Sequence, residues 1–163
     1  MHINIRKAHR ADVPTLAQLV MTVQDVHRQA HPNFYKPMKA NDRELHRFYA
    51  SEIAHPNNYI FIAEIEDQAV GHVLCQVRQI PDTLFTYGIL NLHIDQMTVD
   101  EPYQGMGVGK ALMQQSIEQA QALEVQRMTL GVVAFNQRAI RFYEQFGFQF
   151  WSHRMAVMLE DMD

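Results

Sequence analysis

The chain has 163 residues and a mass of 19.0 kDa, enough for one well-packed domain and crowded for two. It is 47% apolar and 20% charged, and 14 Lys and Arg against 18 Asp and Glu leave a formal charge of -4. That balance argues against a surface built to follow nucleic-acid phosphates. The single cysteine, Cys75, cannot form an internal disulfide, and the nine histidines are scattered rather than gathered into a metal-ligand pattern. No apolar run approaches the ~18 residues of a membrane span, and the first residues lack the apolar core of a signal peptide. The expectation is a reduced, cytoplasmic, single-domain protein without metal, nucleic-acid or membrane partners.

Residues His2 to Arg6 alternate, with Ile3 and Ile5 on one side, and predict a short strand. Asp12 is a good N-cap and Pro14 fits a first helical turn; Val13, Leu16, Ala17, Val20, Met21 and Val23 then recur at helical spacing to about residue 30. Pro32 and Pro37 break that pattern, and a second helix is expected from Asn41 to Ala54. Tyr59–Ile65 and Ala69–Arg78 read as two strands joined by a tight turn, and Leu90–Val99 as a third long strand. A helix follows from Val108 to Leu123, with Val108, Leu112, Met113, Ile117 and Ala120 on one face and Lys110, Gln114, Glu118 and Gln121 opposite. Arg127–Val133 predicts a buried strand, and Asn136–Phe146 a helix capped by Asn136 and stopped by Gly147. Phe148–Trp151 and His153–Leu159 predict two final strands. The fold class expected is mixed α/β, a largely antiparallel central sheet with flanking helices.

The most informative stretch is Val99-Asp100-Glu101-Pro102-Tyr103-Gln104-Gly105-Met106-Gly107-Val108-Gly109-Lys110, which joins a strand to a helix. Glycines at 105, 107 and 109 leave backbone amides unobstructed where a helix begins, and such amides carry partial positive charge without an intrahelical partner. An anion such as a pyrophosphate suits them; a tight turn alone is the plainer explanation. A Walker A loop would need Gly at 104 and Ser or Thr at 111, where the chain has Gln104 and Ala111. A dinucleotide fingerprint would need Gly at 110, where it has Lys110.

Gln104-Gly105-Met106-Gly107-Val108-Gly109 resembles the Gln/Arg-x-x-Gly-x-Gly/Ala pattern of the GCN5-related N-acetyltransferase (GNAT) family. Asn136 to Phe148 is similar to that family's Asn-x-x-Ala-x-x-Phe-Tyr-x-x-x-Gly-Phe segment, through Asn136, Ala139, Phe142, Tyr143, Gly147 and Phe148. The resemblance implies the acyl-CoA N-acyltransferase fold over the whole chain and acetyl-CoA as cosubstrate. It implies that the amides of Gln104, Gly105, Met106, Gly107, Val108, Gly109 and Lys110 hold the pyrophosphate. The backbone at Met97 and Val99 would pair with the pantetheine arm like an added strand. Asn136 would bond the cosubstrate, although a plain helix cap explains it equally.

Direct acetyl transfer needs a base for the acceptor, whose ammonium pKa is near ~10, and an acid for the departing thiolate. Tyr143 falls where the family's tyrosine protonates coenzyme A, yet its helical face, with Ala139, Ile140 and Phe146, also suits a core residue. His93, eleven residues before Gln104, lies where some relatives carry a glutamate base. An imidazole can serve at neutral pH, with Asp95 on the same side of the strand to orient or replace it. A half-exposed histidine without catalytic weight is the other reading. Cys75 has no evident base partner and does not suggest an acyl-enzyme.

The acceptor is expected to be a primary amine of a small molecule or peptide, bound near residues 26–39 and 80–88. Phe34, Tyr35, Phe85 and Tyr87 are available there to line a channel, with His27 and His31 close by. Two other functions fit the same residues: an acyl-CoA-binding module without turnover, and an acetyltransferase for protein N-termini or lysines. The apolar C-terminal segment can also support a homodimer.

Overall fold

The computed structural model describes residues 2–159, and the chain divides into two compact units, one ending at Leu130 and one beginning at Gly131. The first unit is a five-stranded sheet with helices on both faces. Its strands are β1 (Asn4–Lys7), β2 (Asn58–Ile65), β3 (Gln68–Ile80), β4 (Ile89–Val99) and β5 (Arg127–Leu130), in that spatial order. Every neighbouring pair is antiparallel except β4 and β5. The helices α1 (Val13–Ala30) and α2 (Arg43–Ala54) precede β2, and α3 (Val108–Ala122) crosses over between the parallel strands β4 and β5.

Strand alternation assigns the two faces. Ile60, Ile62 and Leu74 point toward α1 and α2, where they pack with Leu16, Ala17, Val20, Leu45 and Tyr49. Their neighbours Phe61, Ala63, Val73 and Cys75 point the other way, toward α3, whose Leu112, Met113 and Ser116 are fully buried. The β2–β3 turn is the tight two-residue kind: Glu66 and Asp67 both have positive φ (50° and 62°), which matches the twist of the strands it joins.

One ion cluster ties the first strand to the first helix. Arg6 donates to both carboxylate oxygens of Asp12 at 2.9 and 2.8 Å and to Glu64 at 2.6 Å. Asp12 also accepts from the His9 amide at 2.8 Å. The Arg6 guanidinium holds the Asp12 carboxyl below the ordinary carboxylate range.

The second unit holds α4 (Gln137–Glu144). Asn136 caps it, its side-chain oxygen accepting from the Ala139 amide at 3.1 Å, and Gly147 ends it at φ 85°. No strand forms in residues 148–159, contrary to the two expected there. The alternation is present in His153, Met155, Val157 and Leu159, but a strand exists only through a ladder partner, and no described residue pairs with this segment. Its large side chains are accordingly exposed, Met155 at 94% and Trp151 at 85%. The expected strand Arg127–Val133 likewise stops at Leu130, where its parallel pairing ends.

Asp12→Ala removes two charge-assisted hydrogen bonds from a nearly buried carboxylate and is expected to cost about 1.5–3 kcal/mol, read as a lower urea midpoint. Because the folded-state pKa of Asp12 is depressed, the wild type holds this contribution above the ordinary carboxylate range. It loses the contribution as pH falls through the folded-state value, so the gap between the two proteins closes in acid.

Candidate active site

Strand β4 pairs with β3 along its whole length, from Ile89 opposite Ile80 to Val99 opposite Gly71. On its other side β5 accompanies it only from Asn91 to Ile94. Beyond Ile94 the two parallel strands part, and among the described residues no strand lies beside the edge of β4 from Asp95 to Val99. At the point of parting the β3–β4 register shifts: Leu74 lies opposite Gln96 and Cys75 opposite Ile94. Asp95 is therefore the extra residue of a β-bulge, and its side chain is exposed.

The free edge leads directly into the glycine turn. Pro102 opens one helical turn over Glu101–Tyr103, and Gly105 and Gly107 follow with φ of 82° and 91°. The Gln104 side chain closes the turn onto the Val99 carbonyl at 2.9 Å. Gly107 is the N-cap of α3, whose first internal bond runs from the Ala111 amide to the Gly107 carbonyl at 3.0 Å. The amides of Val108, Gly109 and Lys110 thus precede the helix's own ladder and point out of its N-terminus. The Gln104 and Met106 amides differ: they donate within the turn, to Glu101 at 3.2 Å and Tyr103 at 3.4 Å.

His93 is half-buried on the α1/α2 face of β4. Its Nδ1 lies 3.0 Å from Thr129 Oγ1 on β5, so Thr129, rather than Asp95, orients the ring. Burial, with the positive charge of Arg78, holds the His93 pKa below its ordinary value, while Asp95 acts in the opposite sense. His93 is consequently neutral and able to accept a proton near pH 7.

Beside it lies a polar group not singled out from the sequence. Tyr49 of α2 is fully buried and donates to Gln96 Oε1 at 2.7 Å. His72 of β3, also fully buried, approaches the same oxygen with Nε2 at 3.4 Å and stands edge-on to the Tyr49 ring. Its other nitrogen, Nδ1, is buried without a hydrogen-bond partner, and burial pushes the pKa down to about 4. No periodicity signals this group: Tyr49 reads as a helical core residue, and Gln96 as one more polar residue on an alternating strand.

Cys75 points to α3, next to Ser116 at 3.5 Å, and burial raises its thiol pKa to about 11, which excludes it as a nucleophile at neutral pH. Among the expected acceptor-side residues, Tyr35 stacks on His27 with ring centres 5.0 Å apart, and burial lowers the His27 pKa. Phe34, Phe85 and Tyr87 are 75%, 89% and 90% exposed and line no enclosed channel. In the second unit, Tyr143 packs edge-on against Phe142 and Phe148, and burial raises its pKa above the ordinary value. No group of three or more metal-ligating side chains occurs among the described residues, and no described helix is long and apolar enough to cross a membrane.

A sequence model of the Acetyltransferase (GNAT) family matches residues 22–148. The chain belongs to this family. Its sequence is 40% identical over 58 residues to the spermine/spermidine N(1)-acetyltransferase of Bacillus subtilis, a match spanning 35% of this chain and 38% of that protein. It is 26% identical over 110 residues to an N-alpha-acetyltransferase of Sulfurisphaera tokodaii, 63% of each chain. The chain thus spans a little over a third of the first of these relatives. The fold is that of a tetramutant of the BH1408 protein from Bacillus halodurans, with a TM-score of 0.90 at 20% identity over 96% of this chain and 99% of that one. It also matches a predicted acetyltransferase from Clostridium acetobutylicum solved with acetyl-CoA, with a TM-score of 0.71 at 19% identity over 98% of both chains.

Gly107→Ala places a side chain at φ 91°, where an L-residue is strained by about 1–2 kcal/mol. The nearest foreign atom would be Ile3 Cδ1 at 3.8 Å, so crowding adds nothing and the loss of stability in urea is expected to equal the backbone strain alone.

Proposed function

We propose that the protein is an acetyl-CoA-dependent N-acetyltransferase that passes the acetyl group directly to a primary amine of a small molecule or peptide. The observation that carries this reading is the free edge of β4, Asp95–Val99, running into a turn whose glycines open the N-terminus of α3. An extended amide-bearing arm can pair with Met97 and Val99 as an added strand. A pyrophosphate at its end would then meet the amides of Gly105, Gly107, Val108, Gly109 and Lys110.

In the proposed reaction the amine nitrogen attacks the thioester carbonyl carbon, the C–S bond breaks, and the sulfur leaves with the electron pair. His93 takes the proton that the ammonium must lose, and Tyr143 gives one to the thiolate. Asn136 is proposed to bond the cosubstrate as well as to cap α4. The relatives that act on spermine and spermidine, and the resemblance in fold to an aminoglycoside acetyltransferase, make cationic amines the first acceptors to try. The exposed Asp95 carboxylate and the acidic balance of the chain favour such a substrate.

The test is thiol release from acetyl-CoA across polyamines, aminoglycosides, amino acids and short peptides. Turnover on one amine class is expected, with kcat reduced on the order of 10²-fold in Tyr143→Phe. Tight acetyl-CoA binding without turnover on any amine would make the protein an acyl-CoA-binding module instead. Because His93 accepts a proton only when neutral, the ratio of wild-type to His93→Asn kcat is expected to be constant above about pH 6.5 and to fall as pH drops through the depressed His93 pKa. A ratio independent of pH would remove His93 from the reaction.

A further inference from the structure

Gln96 occupies the first position after the bulge, at the apex where β4 parts from β5, and on the same face of the sheet as His93. Its side-chain oxygen is the focus of two donors: the Tyr49 hydroxyl at 2.7 Å and His72 Nε2 at 3.4 Å. The structure sets the oxygen end of the carboxamide inward, where it accepts from the Tyr49 hydroxyl. Since Oε1 only accepts, His72 must carry its proton on Nε2, and this leaves Nδ1 as the bare buried atom. The other end of the amide, Nε2, makes no hydrogen bond among the described residues, and Gln96 itself is only partly buried. A buried tyrosine and a buried histidine therefore hold the oxygen end of one glutamine and leave its two amide N–H donors without a partner among the described residues.

From this geometry, and resting on the acetyltransferase reading above, we infer that Gln96 is a catalytic residue whose Nε2 donates to the thioester carbonyl oxygen of acetyl-CoA, with Tyr49 and His72 as its positioning residues. An arm laid along Val99 and Met97 brings its acyl end alongside Gln96, because successive strand residues advance about 3.3 Å each and the free edge closes one residue further on, at Asp95. When the amine attacks, the π pair of the carbonyl moves to oxygen, and the hydrogen bond that the Gln96 amide donates to it strengthens as negative charge develops. When the carbonyl re-forms, the C–S pair leaves with sulfur, and the proton lost by nitrogen balances the one gained by sulfur. A donor locked before the reaction needs no reorganisation as that charge appears.

The experiment is isotope-edited infrared spectroscopy of acetyl-CoA carrying a 13C thioester carbonyl, bound to the wild type, Gln96→Leu, Gln96→Glu and Tyr49→Phe. A hydrogen bond to the carbonyl lowers its stretching frequency. The bound band is expected below that of free acetyl-CoA in the wild type, to move up in Gln96→Leu, and to broaden in Tyr49→Phe as the amide loses its fixed orientation. With any amine that the wild type acetylates, Gln96→Leu is expected to lose kcat on the order of 10²-fold while the Kd for acetyl-CoA stays within error.

Gln96→Glu keeps an oxygen for Tyr49 but exchanges the outward donor for an acceptor. Its carbonyl band is expected to return toward the wild-type position as pH falls and the carboxyl gains a proton to donate, a response that a purely structural residue would not give. This variant also carries the test if Gln96→Leu does not fold. Equal carbonyl frequencies in the wild type and the folded Gln96 variants would overturn the inference. Failure of the wild type to bind acetyl-CoA would instead overturn the reading on which it rests.

Discussion

A strand in the middle of a sheet normally spends the hydrogen-bonding groups of both its edges on its neighbours. β4 does so on one side for ten of its eleven residues, all but Asp95, and on the other only for the four from Asn91 to Ile94. The remaining edge offers amides and carbonyls in a straight row within the fold, and that arrangement organises what lies around it. The bulge at Asp95 marks where pairing ends. The turn from Asp100 to Gly107 marks where the row gives way to the N-terminus of α3. Gly71 secures the far end: a Cβ there would lie 2.7 Å from the Thr98 carbonyl and 3.3 Å from Val99 Cα, so β3 could not approach β4 where the edge meets the turn.

The side of the sheet facing α1 and α2 combines two kinds of interior. Leu16, Val20, Ile60, Ile62 and Leu74 form a dry core, and close to it Tyr49, His72 and Gln96 form a polar one. The polar group is a poor stabiliser, because it leaves His72 Nδ1 unsatisfied and a histidine that must stay neutral. With its folded-state pKa near 4 against an ordinary value of 6.5, His72 binds a proton more readily in the unfolded chain. Its contribution to stability is whole above the unfolded value and is lost as pH falls toward 4. Asp12 works in the same sense at lower pH, so the fold carries two successive acid sensitivities, one beneath the sheet's working face and one at its first strand.

Much of the architecture was legible because it rests on local patterns. The strand spacing of 59–65 and 69–78, the caps at Asn136 and Gly147, and the glycine-rich start of α3 each follow from backbone preferences that a few neighbouring residues express. The misjudged region, 148–159, shows the limit of that reasoning: alternation describes a strand's faces but cannot supply the partner that makes it a strand. The same limit applies at the site. The resemblance singles out His93 by its place eleven residues before Gln104, yet its contact with Thr129 reaches 36 residues away, to a strand that pairs in parallel. The Tyr49–Gln96–His72 group joins an α-helix and two strands across separations of 47 and 24 residues, and no spacing rule connects them.

Cys75 illustrates how a residue outside the chemistry can still shape how the chemistry is observed. Its sulfur is fully enclosed between β3 and α3, and its proton is held to about pH 11. Only thiolates attack aromatic disulfide reagents at useful rates. Such a chromogen added to the folded protein finds no competing protein sulfur, so under the proposed activity the colour that develops would count liberated coenzyme alone. Added after denaturation, the same reagent reports one further thiol per chain, so a single cuvette would yield both the number of turnovers and the number of protein molecules present.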